Sequence, residues 1–150
     1  MRATYAEPEP YTAYVGTDDA AGALLPMVLL VDDERDALDA LEAALLNFGY
    51  RVTTAGNGAD AIEKATRDLP EAVITDLLMP VVDGIALAKA LRSNPATAHV
   101  KIVMCSGVSE GSVRAIFDRY DAFLHKPYDL RDLRAVLAAL LPKAPRPAPR

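Results

Sequence analysis

Apolar residues along this chain fall in short continuous runs, separated by stretches where they recur every three or four positions. "MVLLVD" (27–32) is such a run and predicts a strand. The next stretch, "ERDALDALEAALLNFGY" (34–50), puts Leu38, Leu41, Leu45 and Phe48 on one helical face, and Gly49 stops it. "RVTTA" (51–55) is β-branched, and "GADAIEKATRD" (58–68) is helical in its spacing. "EAVITD" (71–76) predicts a strand, and "GIALAKALRSN" (84–94) a helix closed by Asn94-Pro95. "VKIVMCS" (100–106) predicts a strand and "SVRAIFDRY" (112–120) a short helix. "AFLHK" (122–126) and "LRDLRAVLAALL" (130–141) predict the last strand and helix. Strand and helix thus alternate five times. Near-continuous apolar strands joined by helices imply an α/β fold, with a parallel sheet covered on both faces. Right-handed crossovers make that sheet doubly wound.

The ends of the chain lack this periodicity. Residues 1–26 mix Pro, Gly, Ala and acids and are expected to form a flexible N-terminal tail. Residues 142–150, "PKAPRPAPR", are Pro-rich and basic and are expected to be an extended C-terminal tail. The 150 residues suit one ordinary domain, here 27–141. A 51% hydrophobic, 25% charged composition supports a packed core. The formal charge of −5 argues against broad binding to nucleic acid. With the single cysteine, Cys105, no internal disulfide can form, which fits a reducing cytoplasm. No basic segment followed by an apolar core opens the chain, and no apolar run approaches the roughly 18–20 residues of a membrane span. A cytoplasmic protein without membrane insertion is the expectation.

Ligands of doubly wound sheets bind at the carboxyl ends of the strands. There, strand one ends in Asp32-Asp33-Glu34, strand three in Asp76, strand four in Ser106 and strand five in Lys126-Pro127. Strand two ends in Ala55-Gly56 and offers nothing ionisable. Clustered carboxylates raise one another's pKa unless a cation joins them. Hard oxygen donors suit Mg²⁺, which keeps several waters and leaves room for phosphate oxygens. An ammonium and a hydroxyl alongside would bind those oxygens. A carboxylate between metal and lysine is placed to be a nucleophile that forms an acyl phosphate. Cys105, inside an apolar run, reads as a small buried hydrophobe.

"VLLVDDE" (28–34), "VITDLLMPVVDG" (73–84), "VMCSG" (103–107) and "LHKPY" (124–128) resemble the receiver domain of two-component response regulators. The likeness runs from about Met27 to Leu141, with the four motifs in order and each at a strand end. It implies the flavodoxin-like strand order 2-1-3-4-5. It implies phosphorylation of Asp76 by the phosphohistidine of a sensor histidine kinase or a histidine phosphotransfer protein. Asp32 and Asp33 match the acidic pair that holds Mg²⁺, together with Asp76 and the backbone carbonyl of Leu78. Ser106 matches the hydroxyl that follows the phosphate, Lys126 the site lysine and Phe123 the aromatic switch. Leu78 and Val108 flank the path of the water that hydrolyses the phosphate. The implied function is signalling by a phosphorylation-dependent surface change, not catalysis on a separate substrate. With only "PKAPRPAPR" after the last helix, a stand-alone receiver acting on an unidentified protein target is expected. The sequence leaves open whether phosphorylation drives dimerisation. The segment from Ser106 to Lys126 is slightly short for the family and lacks a glycine before the last strand.

Two rival readings use the same residues. "GNGADA" (56–61) fits G-x-G-x-x-A between a strand and a helix, with Asp76 at dinucleotide spacing. It follows the second strand, however, and does not open the unit. A Mg²⁺-dependent phosphatase with an aspartyl nucleophile would want a second carboxylate at position 78, which is Leu78.

Overall fold

The computed structural model describes residues 25–141. The expected tails lie outside the described residues, apart from Leu25 and Pro26. The elements are β1 (Met27–Val31), α1 (Arg35–Phe48), β2 (Arg51–Ala55), α2 (Gly58–Asp68), β3 (Ala72–Asp76), α3 (Gly84–Ser93), β4 (Lys101–Ser106), α4 (Glu110–Arg114), β5 (Ala122–His125) and α5 (Leu130–Leu140). All five strands are parallel, in the order β2-β1-β3-β4-β5. The sheet and its order match the expectation. Strand and helix ends shift by a residue or so, as helix and strand ends fray.

Two apolar cores follow from the alternation of side chains along each strand. Leu29, Val31, Val73, Ile102 and Met104 face α2, α3 and α4, where Ala61, Ala65, Leu87, Leu91 and Val113 meet them. Val28, Leu30, Ile74, Val103 and Cys105 face α1 and α5, where Leu38, Leu45, Leu133 and Leu137 close over them. Both faces of each central strand are thus dry, which is why these strands read as unbroken apolar runs.

The fourth helix corrects the expectation. It covers Glu110–Arg114 instead of 112–120. Gly111, Ser112 and Val113 are weak helix formers, so local propensity is low. The chain after it is drawn out by Arg92. That guanidinium donates to the carbonyls of Arg119 (3.0 Å), Ala98 (2.9 Å) and Val100 (2.6 Å) and to the carboxylate of Asp121 (2.8 Å). Asp121 also accepts the Ile102 N–H at 2.8 Å. Phe117 and Tyr120 then fill the core from a non-helical path.

Two glycines hold the loops against the sheet. A β-carbon on Gly84 would lie 2.5 Å from the Asp76 carbonyl oxygen and 2.9 Å from Met104 Sδ. A β-carbon on Gly58 would lie 2.5 Å from Val82 Cγ1. Gly84→Ala is expected to cost about 1–3 kcal/mol by overpacking against backbone that cannot yield cheaply. Urea unfolding measures it, and a midpoint equal to wild type would contradict this account.

Candidate functional site

The strands deliver their terminal residues to one edge of the sheet. Asp32 and Asp33 follow β1, Asp76 ends β3, Ser106 ends β4 and Lys126 follows β5. The strand order makes the edge a crevice, because the chain leaves β1 and β3 toward opposite faces. Backbone bonds fix the register there. Asp32 N–H donates to the Ala55 carbonyl at 3.2 Å, Leu77 N–H to Cys105 at 2.9 Å and Lys126 N–H to Ser106 at 2.8 Å.

One carboxylate oxygen from each of Asp32, Asp33 and Asp76 lies within 4.8 Å of the other two. Lys126 Nζ lies 2.8 Å from Asp76 Oδ1. The burial is graded: Asp32 is buried, Asp76 half-buried and Asp33 exposed. Burial raises the Asp32 carboxyl above its ordinary pKa, and the charges of Asp76 and Asp33 add to this. The Glu34 N–H, donating to Asp32 Oδ1 at 2.9 Å, opposes the shift. Partial burial works against the Lys126 ammonium, but the hydrogen bond and charge of Asp76, with the charge of Asp32, outweigh it and hold its pKa above the usual value.

Three converging carboxylates and one ammonium leave excess negative charge, and the donor set fits a hard dication. Asp32, Asp33 and Asp76 have the spacing and chemistry to hold Mg²⁺ with water completing its shell. A cavity of about 400 Å³ opens beside them, lined by Asp33, Arg35, Thr54, Gly56, Asp60 and Lys64. Leu78 lies in the turn after β3, with its side chain exposed.

Ser106 is buried, and its Oγ accepts the Val108 N–H at 2.9 Å. Phe123 is half-buried on β5 against the core that includes α4, at a ring-centroid distance of 6.0 Å from Tyr120. Two neighbours carried no role in the sequence. Cys105 and Tyr128 lie beneath Asp76 and Lys126 on the opposite face of the sheet from Phe123. Burial pushes the Cys105 thiol up to about 12 and the Tyr128 hydroxyl higher still, so both stay protonated and inert. The one signal for Tyr128 was its place two residues past Lys126.

The glycine motif resolves differently from a nucleotide site. Gly58 is small because Val82 packs on it, and Asn57 caps α2 by accepting the Asp60 N–H at 2.8 Å. One of the amides that a helix N-terminus would offer a pyrophosphate, that of Asp60, is thus already engaged.

A match to the response regulator receiver domain family covers residues 28–138. This chain belongs to that family. Among curated relatives, the transcriptional regulatory protein PrrA of Mycobacterium tuberculosis is 37% identical over 120 residues, covering 80% of this chain and 52% of PrrA. The chain spans about half the length of this relative. Among solved structures, the chemotaxis protein CheY4 of Vibrio cholerae has a TM-score of 0.74 at 27% identity, covering 78% of this chain and 99% of that one. The receiver domain of the sensor histidine kinase PA1611 of Pseudomonas aeruginosa, solved with magnesium in its active-site cleft, has a TM-score of 0.71 at 25% identity and covers 77% and 97%. Receivers are phosphoacceptor signalling domains of two-component systems, and bind Mg²⁺ in their acidic site.

The raised Asp32 carboxyl gives a signed pH effect. Its folded pKa lies above the unfolded 3.8, so its contribution is fully present below that value and lost as pH rises through the folded pKa. At neutral pH the metal-free receiver folds against this charge. Asp32→Asn, which keeps an acceptor for the Glu34 N–H, is expected to raise the urea midpoint at pH 7 without metal. The gain should vanish at acid pH, and a lower midpoint at pH 7 would contradict the sign.

Proposed function

We propose that this receiver accepts a phosphoryl group on Asp76 from the phosphohistidine of a sensor histidine kinase or a histidine phosphotransfer protein, and signals by a change of surface. The observation that carries this is the placing of Asp76 between Lys126, at 2.8 Å, and the carboxylates of Asp32 and Asp33. An Asp76 carboxylate oxygen attacks phosphorus, the new O–P bond forms, and the N–P bond to the donor imidazole breaks. The lysine ammonium remains beside Asp76 and balances charge on the phosphoryl oxygens. Ser106 donates its hydroxyl to one of those oxygens. Asp32, Asp33, Asp76 and the backbone carbonyl of Leu78 are the groups that would hold Mg²⁺, with Asp33 a direct ligand, and the ion would supply positive charge to offset that of the phosphoryl oxygens. Phe123 is assigned the switch role. The protein catalyses only its own phosphorylation and dephosphorylation. Residues 27–141 form the receiver unit, flanked by the segments 1–26 and 142–150. The formal charge of −5 favours a protein target over nucleic acid, and among the described residues no helix is long and apolar enough to cross a membrane.

Incubation with Mg²⁺ and acetyl phosphate is expected to add one phosphate by intact mass, and Asp76→Asn to abolish the gain. A gain that survives Asp76→Asn would overturn the assignment. Asp33→Ala is expected to weaken Mg²⁺ by about tenfold or more, near 1.4 kcal/mol, in calorimetric titration.

Leu78 and Val108 give the rim of the site an apolar character, being 66% and 38% exposed. Neither side chain can orient a hydrolytic water. Self-dephosphorylation is therefore expected to be slow, suited to a relay or a lasting signal. Leu78→Asn or Val108→Glu should hasten decay after donor removal by about threefold, a barrier change of roughly 0.65 kcal/mol. Unchanged decay in both variants would contradict this.

A further inference from the structure

We propose that Glu110 and Tyr120 are positioning residues that latch α4 onto the loop before β5, and so set how readily Asp76 is phosphorylated. This rests on the reading of Asp76 above. The Tyr120 hydroxyl donates to Glu110 Oε2 at 3.2 Å, across ten residues of chain. Arg114 reinforces both partners. Its Nη2 lies 2.6 Å from the same Glu110 oxygen, and its guanidinium carbon sits 4.8 Å above the Tyr120 ring. The ring itself is buried beside Val113, Phe117 and Phe123. A five-residue helix with little propensity of its own is thereby held at one point, against the aromatic residue assigned to the switch.

The other end of α4 is tied to the candidate site. Ser106 Oγ accepts the Val108 N–H, and the next residue, Ser109, is the N-cap, accepting the Ser112 N–H at 3.3 Å. A rotation that carries Oγ toward a phosphoryl oxygen on Asp76 takes it from the Val108 amide. The turn 107–109 must then shift, and Glu110 with it. The latch opposes that shift by pinning Glu110 to Tyr120. It stabilises the arrangement in which Ser106 serves Val108, and so lowers the population ready to receive a phosphoryl group. Glu110 and Arg114 are half-exposed, so the latch is a modest bias that phosphorylation can overcome.

The test uses the 150-residue chain. In hydrogen–deuterium exchange without phosphodonor, Tyr120→Phe and Glu110→Ala should each speed exchange of the amides between 107 and 117 by about fivefold, the scale of one net hydrogen bond. Phosphorylation by acetyl phosphate with Mg²⁺ should quicken by a similar factor, and the double variant should match either single one. Glu110→Gln, which keeps an acceptor for the hydroxyl, should return both readouts toward wild type. Tyr120→Phe lies outside α4, so it separates loss of the latch from loss of a helix-terminal charge. Unchanged exchange overturns the latch. Faster exchange with an unchanged phosphorylation rate overturns its coupling to Asp76. A glutamine variant that behaves as the alanine one overturns the hydroxyl contact. A wild-type chain that takes no phosphate overturns the reading of Asp76 instead, and the exchange results then decide the latch alone.

Discussion

Three carboxylates held within 4.8 Å of one another are the constraint on which the molecule is built. Their repulsion favours any arrangement that separates or neutralises them, so the fold must hold them against it. It does so by rooting them at the ends of two strands that are buried almost throughout. Asp32 follows "VLLV" and Asp76 follows "AVIT", all of them buried. Lys126 supplies the counter-charge in direct contact with Asp76, arriving from the edge strand β5 across the width of β4. The site therefore keeps excess negative charge, and a hard dication bound among the three carboxylates would relieve it.

Much of this was legible in the sequence, for a physical reason. In a parallel sheet with both faces covered, strands must be apolar throughout, so a polar residue that ends a run marks the edge of the sheet. Asp32, Asp76, Ser106 and Lys126 were all found by that rule, and the structure gathers them at one edge. What escaped the rule was set by contacts distant in sequence. The fourth helix stops at Arg114, and the chain beyond it is held by Arg92, twenty-seven residues before Arg119, which donates to that residue's carbonyl. Periodicity sees Val113, Phe117 and Tyr120 at helical spacing and cannot see the arginine. Gly58 looked like a phosphate-loop glycine, and only the position of Val82 reveals its reason. Tyr120 was invisible as a polar residue, because a tyrosine that buries its ring and shows its hydroxyl reads as core.

The division of the sheet into two cores separates tasks. The face under α1 and α5 carries large interlocking aliphatics, with Leu45, Leu133 and Leu137 wholly buried. The opposite face is richer in alanine beneath α2 and in aromatics near α4, where Phe117, Tyr120 and Phe123 meet. Large flat rings at the edge of a core have few bonds to rotate and leave discrete alternative packings. The fold thus sets aliphatic packing behind both faces of the sheet and gathers Phe117, Tyr120 and Phe123 toward the candidate switch.

The Arg92–Asp121 pair anchors the chain just before β5. Its guanidinium is almost entirely buried and grips three carbonyls and a carboxylate, and the same carboxylate holds the Ile102 amide at the foot of β4. The segment between β4 and β5 is therefore anchored at its far end and joined at its near end to a single serine hydroxyl. Ser106 is itself held to the end of β5, through the Lys126 N–H at 2.8 Å. The stretch between Gly107 and Tyr120 is thus fixed at both ends and free to bow only between them, like a span between two piers.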